Sequence, residues 1–198
     1  MVKNIFPEMF NFIEKSEKES LLKQKSLVIW FTGLSGAGKS TLAQGLETLL
    51  FFDGILTQVL DGDKIRNGLN KNLGFSEDDR VENIRRIAEV SKLFCECGII
   101  TISAFISPTH YIRKMAENII GKDNFFEIYV STPITTCEIR DKKGLYIKAR
   151  TGIIPNFTGI SAPYEPPINP KISIDTTNLS IDESVKIIYN KIISLIKL

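Results

Sequence analysis

A glycine-rich segment near the amino terminus constrains this chain more than any other feature of its sequence. Residues 33–40 read Gly-Leu-Ser-Gly-Ala-Gly-Lys-Ser and fit the pattern G-x-x-x-x-G-K-[ST]. They follow an apolar run over residues 27–32, typical of a buried parallel strand, and they precede helical spacing from Lys39 to about Phe52. Because the pattern requires a strand before it and a helix after it, this context predicts a phosphate-binding loop rather than a fortuitous turn.

The residue types of this loop explain its chemistry. Glycines allow backbone N–H groups to converge on phosphate oxygens, and the following helix directs its positive end at the same anion. Lys39 is expected to reach the β- and γ-phosphates of ATP, and the Ser40 hydroxyl is expected to bind Mg²⁺. The motif by itself predicts a nucleotide-binding protein and does not predict a kinase. The predicted nucleotide-binding residues here are Gly33, Leu34, Ser35, Gly36, Ala37, Gly38, Lys39, Ser40 and Thr41.

Strands and helices alternate along the rest of the chain. A long helix is predicted to begin at Ser76 and to end near Gly98, and a last helix is predicted to begin at Ser180. This alternation predicts an α/β fold of the P-loop NTPase and kinase type, a doubly wound parallel sheet flanked by helices. Four further strands are predicted, at residues 57–60, 99–106, 126–130 and 172–175.

Two segments lie outside this alternation. Residues 5–24 have amphipathic helical spacing, so we divide the chain into an N-terminal helical extension over 1–26 and a P-loop domain over 27–198. The apolar face of the extension is expected to pack on its own domain or on a partner subunit. Residues 142–170 mix bases, glycines and prolines with little periodicity, which predicts either a functional lid, mobile and basic, or a linker.

The overall composition excludes several classes of protein. The chain has 25 Lys and Arg against 23 Asp and Glu, which argues against nucleic-acid binding through a general basic field. There is no apolar run long enough to cross a bilayer and no signal-peptide core, so we expect a cytoplasmic protein without a membrane partner. The spacing of Cys95, Cys97 and Cys137 predicts free thiols, and His110 is expected to be a surface loop residue.

Two carboxylates follow the strand predicted at residues 57–60. Asp61 and Asp63 lie at its carboxyl end, where open α/β sheets bind their ligands. A kinase needs a carboxylate that orients or deprotonates the acceptor hydroxyl. Helix capping by an Asp-Gly-Asp turn explains these two residues equally well.

Polar and aromatic residues that suit an anionic, base-containing acceptor come next along the chain. Arg80 and Asn83 share a helix face, Arg66 and Arg80 can hold an anion, and Phe75 can stack on a base. Taken singly, a solvated arginine or a core phenylalanine explains each of them.

Together these segments resemble the adenylylsulfate (APS) kinase family. The matching stretches are GLSGAGKSTLA, LDGDKIRNGLNKNLGFSEDDRVENIRRIAEVSKLF, AFISP, EIRDKKGLYIKARTG and FTGISAPYEPP, which span Gly33 to Pro167. The phosphate loop is generic, whereas the combination of LGFSEDDRVENIRR, RDKKGLY and FTGI is highly specific. The resemblance implies transfer of the γ-phosphoryl group of ATP to the 3′-hydroxyl of APS, giving 3′-phosphoadenylyl sulfate (PAPS) and ADP in sulfate assimilation. It also implies Mg²⁺ and a homodimer.

The resemblance implies a role for each matching residue. The catalytic residues are Lys39, Asp63 and Ser107, with Asp63 nearest the 3′-hydroxyl. The serine is often regarded in this family as a phosphoserine intermediate, but in-line transfer needs no covalent step. Arg140 lies on the ATP side, and Phe75 and Phe157 sandwich the adenine of APS. The APS-binding residues are Asp61, Asp63, Arg66, Phe75, Arg80, Asn83, Ile106, Ser107, Lys143 and Phe157.

The sequence departs from the family pattern in two places, and two other functions stay open. Lys64 stands where members usually carry Asn, and residues 109–113 match loosely. One alternative is a P-loop kinase for another small metabolite, such as a nucleoside monophosphate or a sugar acid, although the two aromatic residues favour an adenine acceptor. The other is a catalytically inactive nucleotide-binding module, against which the presence of Lys39, Ser40 and Asp63 argues.

Overall fold

The structure, a computed structural model, describes residues 12–198. A single parallel sheet organises this part of the chain. Within these residues the sheet has five strands: β1 (Val28–Thr32), β2 (Thr57–Asp61), β3 (Ile100–Ala104), β4 (Phe125–Val130) and β5 (Ile172–Ile174). Their order is β2-β3-β1-β4-β5, and every pairing is parallel. The carboxyl ends of all five strands therefore lie at one edge, where α/β proteins of this kind bind ligands.

Helices connect the strands and cover both faces of the sheet. They are α1 (Lys15–Leu22), α2 (Lys39–Phe52), α3 (Gly62–Arg66), α4 (Glu77–Glu96), α5 (His110–Ile120), α6 (Ile134–Ile139), α7 (Leu145–Arg150) and α8 (Ile181–Ile196), with a 3-10 turn at Lys122–Asn124. α2 packs against α8 on one face, and α4 packs against α5 on the other. The predicted doubly wound α/β fold is confirmed.

The central strand β1 builds both halves of the core. Ile29 and Phe31 pack with the α2 and α8 side, whereas Val28 and Trp30 pack with the α4 and α5 side. Because successive side chains of a strand point to opposite faces, a strand covered on both sides must be apolar throughout. All five residues of β1 are buried, as the continuous apolar run predicts.

Capping side chains fix the start of the two long helices. The Ser76 hydroxyl accepts a hydrogen bond from the Asp79 N–H at 3.1 Å at the start of α4. At the start of α8, Ser180 and Glu183 form a reciprocal capping box. Both predicted helix starts are confirmed, because the caps satisfy N–H groups that have no partner inside the helix.

The N-terminal helix differs from the prediction. Residues 12–14 are not helical, and α1 begins after Glu14, whose N–H donates to the Glu17 carboxylate at 2.8 Å. The helix predicted over 5–24 is therefore too long, and residues 1–11 lie outside the described residues. α1 and the residue that follows it contact their own domain, since Lys15 Nζ donates to Asn124 Oδ1 at 2.7 Å and Gln24 Nε2 to the Gly98 carbonyl at 2.9 Å. The domain division at residue 26 stays a prediction.

Two further predictions need correction. The segment predicted to be irregular over 142–170 contains α7, because Tyr146 and Ala149 share a face that is buried against the domain. His110, predicted to be a loop residue, is the first residue of α5 and is exposed. The Thr109 cap and the apolar spacing after it were the signals for α5.

Candidate active site

The phosphate loop connects β1 to α2 and is bent by positive-φ glycines. Gly36 has φ +76°, and a Cβ at this position would lie 2.9 Å from the Cys137 carbonyl, so no larger residue fits without a shift. Lys39 Nζ donates to the carbonyls of Gly33 at 3.0 Å and Leu34 at 2.7 Å. Burial lowers the pKa of the Lys39 ammonium to about 8. The lysine is thus held over the loop with a charge that is lost more easily than that of an ordinary lysine.

Asp61 joins the end of β2 to the phosphate loop. Its Oδ2 accepts a hydrogen bond from the Ser40 hydroxyl at 2.5 Å. Its Oδ1 accepts from the Asp63 N–H at 3.1 Å and caps α3. Helix capping and a position in the site, the two explanations that the sequence left open, are therefore both true of this one carboxylate.

Asp63 faces the basic segment that follows α6. Lys143 Nζ lies 2.5 Å from Asp63 Oδ2, and both side chains are largely exposed. The hydrogen bond to Asp63 raises the pKa of the Lys143 ammonium, because the protonated form is the one that donates. The predicted acceptor carboxylate and the predicted lid lysine are therefore in direct contact.

One cleft of ≈ 440 Å³ collects most of the predicted site residues. It is bounded by the phosphate loop, the ends of β2 and β3, the start of α4 and the segment around α7. The predicted residues in its wall are Ser35, Gly36, Lys39, Ser40, Asp61, Asp63, Arg66, Phe75, Arg80, Asn83, Ile106, Ser107, Arg140, Lys143 and Phe157. Lys64 is exposed and lies outside this wall.

A second cleft of ≈ 580 Å³ opens on the other side of the phosphate loop. It shares Lys39, Ser40 and Arg140 with the first cleft, and Gly38 and Thr41 line it. The remaining predicted loop residues, Gly33, Leu34 and Ala37, line neither cleft. Gly33 and Ala37 are buried, and Leu34 is half-buried.

The wall of this second cleft contains residues that the sequence reasoning missed. Thr176, Leu179 and Ser184 line it, and Arg140 is anchored there through its hydrogen bonds to the Thr176 hydroxyl at 2.7 Å and carbonyl at 2.8 Å. Their position just after β5, at the ligand-binding edge, was the available signal.

The two aromatic residues of the predicted clamp line the same cleft. Phe75 is 62% exposed, and the Arg66 guanidinium carbon lies 4.3 Å from its ring centroid. Phe157 meets Tyr146 edge to face at 5.0 Å between ring centroids. The alternative that made Phe75 a core residue is therefore wrong.

Arg66 and Arg80 reach the cleft with donors that are already engaged. Arg66 Nη1 donates to the Gly74 carbonyl at 2.8 Å. Arg80 donates to the Phe75 carbonyl at 3.0 Å, to the Thr158 hydroxyl at 2.5 Å and to the Asn156 carbonyl. Arg80 therefore ties the segment that carries Phe75 to the segment that carries Phe157.

Ser107 lies beyond the end of β3 in a left-handed backbone conformation, with φ 45°. The residue is 1% exposed, and its hydroxyl accepts a hydrogen bond from Trp30 Nε1 at 3.0 Å. Its carbonyl accepts from Arg113 Nη1 at 2.8 Å. The neighbouring Ile106 carbonyl accepts from the Thr32 hydroxyl at 2.6 Å. These buried contacts hold the end of β3 against the cleft.

Cys95, Cys97 and Cys137 are free, and the first and last are buried, as predicted. Among residues 12–198 there is no group of three or more His, Cys, Asp or Glu side chains placed to hold a metal ion. In the same part of the chain, no helix combines the length and the apolar character that a membrane span requires.

The parallel sheet, the phosphate loop at its ligand-binding edge and the facing carboxylates define a P-loop phosphotransferase. A family model described as adenylylsulphate kinase matches residues 25–175. The chain belongs to the adenylylsulphate kinase family.

Individual relatives agree with this assignment. The chain is 62% identical to an adenylyl-sulfate kinase of Bacteroides fragilis over 182 residues, which cover 92% of this chain and 90% of the relative. It is similar, with a TM-score of 0.81 and 44% identity, to a structure of the APS kinase of Mycobacterium tuberculosis in complex with AMPPNP and APS; the match covers 85% of this chain and 98% of that one. It also resembles the hexameric APS kinase from Thiobacillus denitrificans, with a TM-score of 0.66 and 34% identity over 87% of this chain and 30% of that chain.

Proposed function

We propose that this chain transfers the γ-phosphoryl group of ATP to the 3′-hydroxyl of APS, giving PAPS and ADP in sulfate assimilation. One observation carries the proposal: a single cleft runs from the phosphate loop past Asp63 to Phe75 and Phe157. With a triphosphate on the loop and an adenine between the two rings, the acceptor ribose would lie near Asp63. The mycobacterial relative, whose structure contains AMPPNP and APS, supports this choice of ligands.

On the donor side, Lys39 neutralises the β- and γ-phosphates and Arg140 contacts the nucleotide. The Ser40 hydroxyl and the Asp61 carboxylate, which meet beside the phosphate loop, are oxygen donors of the kind that Mg²⁺ prefers, and they would hold this ion together with substrate phosphates. When bound there, Mg²⁺ would neutralise negative charge on the triphosphate. The second cleft beside Thr176 holds the nucleoside of ATP.

On the acceptor side, Asp63 orients the 3′-hydroxyl of APS and accepts its proton. The 3′-oxygen forms a bond to the γ-phosphorus while the bond from that phosphorus to the β,γ-bridging oxygen breaks, and ADP leaves. Lys143 releases Asp63 and contacts APS as the mobile lid closes and excludes water. Arg66, Arg80, Asn83 and Ile106 complete the acceptor site.

Ser107 acts in this proposal by position and not as a nucleophile. Its buried hydroxyl already accepts a hydrogen bond from Trp30 Nε1. In-line transfer between two bound nucleotides needs no phosphorylated protein intermediate.

The proposal includes a homodimer in the cytoplasm. Self-association is supported by the hexameric relative from Thiobacillus denitrificans, although the number of subunits differs. Light scattering on the purified protein measures the assembly directly.

An assay with ATP, Mg²⁺ and one acceptor at a time tests the function. We expect PAPS and ADP with APS, little ADP with AMP or gluconate, and no turnover in Lys39→Met. Faster turnover with AMP or gluconate than with APS contradicts the proposal and favours a kinase for another metabolite. Nucleotide binding without turnover of any of these acceptors favours the inactive module.

A further inference from the structure

A buried pair of asparagines lies at the side of the cleft formed by the start of α4. Asn83 lines the cleft, and its Oδ1 accepts a hydrogen bond from Asn70 Nδ2 at 3.0 Å. Asn70 is fully buried, with 0% exposure, and does not line the cleft. Its contact with the lining of the cleft is therefore through Asn83.

The hydrogen-bond polarity of this pair is fixed from both ends. At one end, Arg86 Nη1 lies 3.4 Å from the Asn70 side chain, and a guanidinium can only donate, so the Asn70 oxygen faces Arg86. At the other end, the Asn83 backbone carbonyl lies 3.5 Å from the Asn70 side chain and can only accept, so the Asn70 amide nitrogen faces Asn83. The orientation of a side-chain amide is ambiguous by itself, but here it is determined by one neighbour that can only donate and one that can only accept.

This polarity determines what Asn83 presents to the cleft. Because Asn83 Oδ1 is held by Asn70, its Nδ2 must point the other way. Within residues 12–198, Asn83 Nδ2 has no hydrogen-bond partner. It is also not fully buried, since the fully buried polar side-chain atom that lacks a partner in these residues is the Ser184 hydroxyl. The Asn83 amide therefore offers N–H donors to the cleft rather than a carbonyl oxygen.

We propose that Asn70 is a positioning residue for the acceptor, because it locks the Asn83 amide with its donors toward APS. The inference rests on the proposed function. The phosphate, the sulfate and the ribose oxygens of APS are all hydrogen-bond acceptors, and the first two carry negative charge. A reversed amide would turn its oxygen lone pairs toward those oxygens, which removes a hydrogen bond and adds repulsion.

Asn70→Asp reverses the direction of the hydrogen bond to Asn83 with little change in the shape of the side chain. One oxygen of the introduced carboxylate still accepts from Arg86, while the other can only accept from Asn83, so Asn83 must turn its N–H inward. We expect the KM for APS to rise about tenfold or more, with the KM for ATP within about twofold of the native value. Asn72→Asp is the matched control, since Asn72 accepts from the same Arg86 Nη1 at 2.9 Å but is exposed and touches neither Asn83 nor the cleft.

A double-mutant cycle separates the effect of the Asn83 orientation from the effect of the negative charge introduced at position 70. In an Asn83→Ala background, Asn70→Asp should leave the KM for APS nearly unchanged, because the group through which it acts is gone. An equal rise in both backgrounds indicates through-space repulsion and overturns the proposal.

A second pair of variants tests the other end if Asn70→Asp does not fold. Arg86→Met removes the donor that orients Asn70, whereas Arg85→Met removes a neighbouring guanidinium that pairs with the same Glu82 at 2.7 Å but not with Asn70. We expect the KM for APS to rise several-fold more in Arg86→Met than in Arg85→Met. Equal KM values for APS within either matched pair, or an equal rise for ATP and APS, overturn the proposal. Absence of PAPS formation by the native chain overturns the proposed function instead.

Discussion

Lys143 Nζ lies 2.5 Å from Asp63 Oδ2, although the two residues are 80 positions apart in the chain. Both side chains are largely exposed, so this ion pair contributes little to the free energy of unfolding. Its significance is chemical: the base proposed to receive the acceptor proton is in contact with a lid lysine proposed to bind APS. In the proposed reaction, exchange of this contact for contacts with substrate would couple lid closure to release of the carboxylate.

The first prediction concerns that carboxylate. Asp63→Asn keeps the shape of the side chain and removes its ability to accept a proton, so kcat should fall by roughly 10²- to 10⁴-fold. The KM for APS should change much less. Asp123→Asn, an exposed aspartate in the 3-10 turn, is the control and should retain native kinetics. If kcat is unchanged and only the KM for APS rises, Asp63 is a binding residue.

The second prediction concerns the charge of Lys39. Its pKa is about 8, so the free protein loses this charge as the pH rises through 8, and ATP binding then has to restore a proton. The affinity for ATP, measured by calorimetry without APS, should weaken from pH 7 to pH 9. Lys39→Met should bind ATP more weakly, with an affinity that does not follow this pH dependence. A pH-independent native affinity would show that Lys39 keeps its charge over this range.

The same lysine affects stability with a defined sign. Its folded-state pKa is lowered from 10.5 to about 8, so between these values the unfolded chain binds a proton that the folded chain does not. The contribution of Lys39 to the free energy of unfolding should therefore increase as pH rises through that window. Denaturant titrations should show that the free energy of unfolding depends differently on pH in the native protein and in Lys39→Met, and only within this pH window.

The third prediction concerns Ser107. Ser107→Ala should keep measurable PAPS formation, because the in-line reaction needs no protein nucleophile. It loses the acceptor for Trp30 Nε1, so stability should fall by roughly 0.5–1.5 kcal/mol, or somewhat more because a buried donor is left without a partner. Detection of phosphorylated Ser107 that passes its phosphate to APS at the rate of turnover contradicts this prediction.

The fourth prediction concerns the two rings. Stacking on an adenine is worth roughly 1–3 kcal/mol per ring, so Phe75→Ala and Phe157→Ala should each raise the KM for APS about tenfold or more. Their melting temperatures should differ. Phe75 is exposed and its truncation should leave stability almost unchanged, whereas Phe157 packs on Tyr146 and its truncation should lower stability.

The control for the rings is Phe51→Ala. Phe51 is also exposed, but it lies at the end of α2 and lines neither cleft. Its KM for APS should be native. A clear loss of melting temperature in Phe75→Ala together with a native KM for APS rejects the clamp.

The sequence by itself determined the features that depend on neighbouring residues. The phosphate loop, the capped start of α4 and the continuous apolar strand β1 follow from spacing and side-chain type over a few positions. Alternation of strands and helices then gave the parallel sheet, and the sheet placed Asp61 and Asp63 at the ligand-binding edge. Helix ends and the short α7 were less predictable, because burial against distant residues outweighs local propensity there.

The tertiary structure alone decided how side chains from distant segments share their hydrogen bonds. Arg80, predicted to hold an anion, also donates hydrogen bonds to the segments around Phe75 and Phe157. Asn70, to which no motif pointed, fixes the amide of Asn83, and Lys143 meets Asp63 across the cleft. The physical reason is that a donor bonds to whichever acceptor the folded chain brings within about 3 Å, and sequence spacing does not fix that distance between elements.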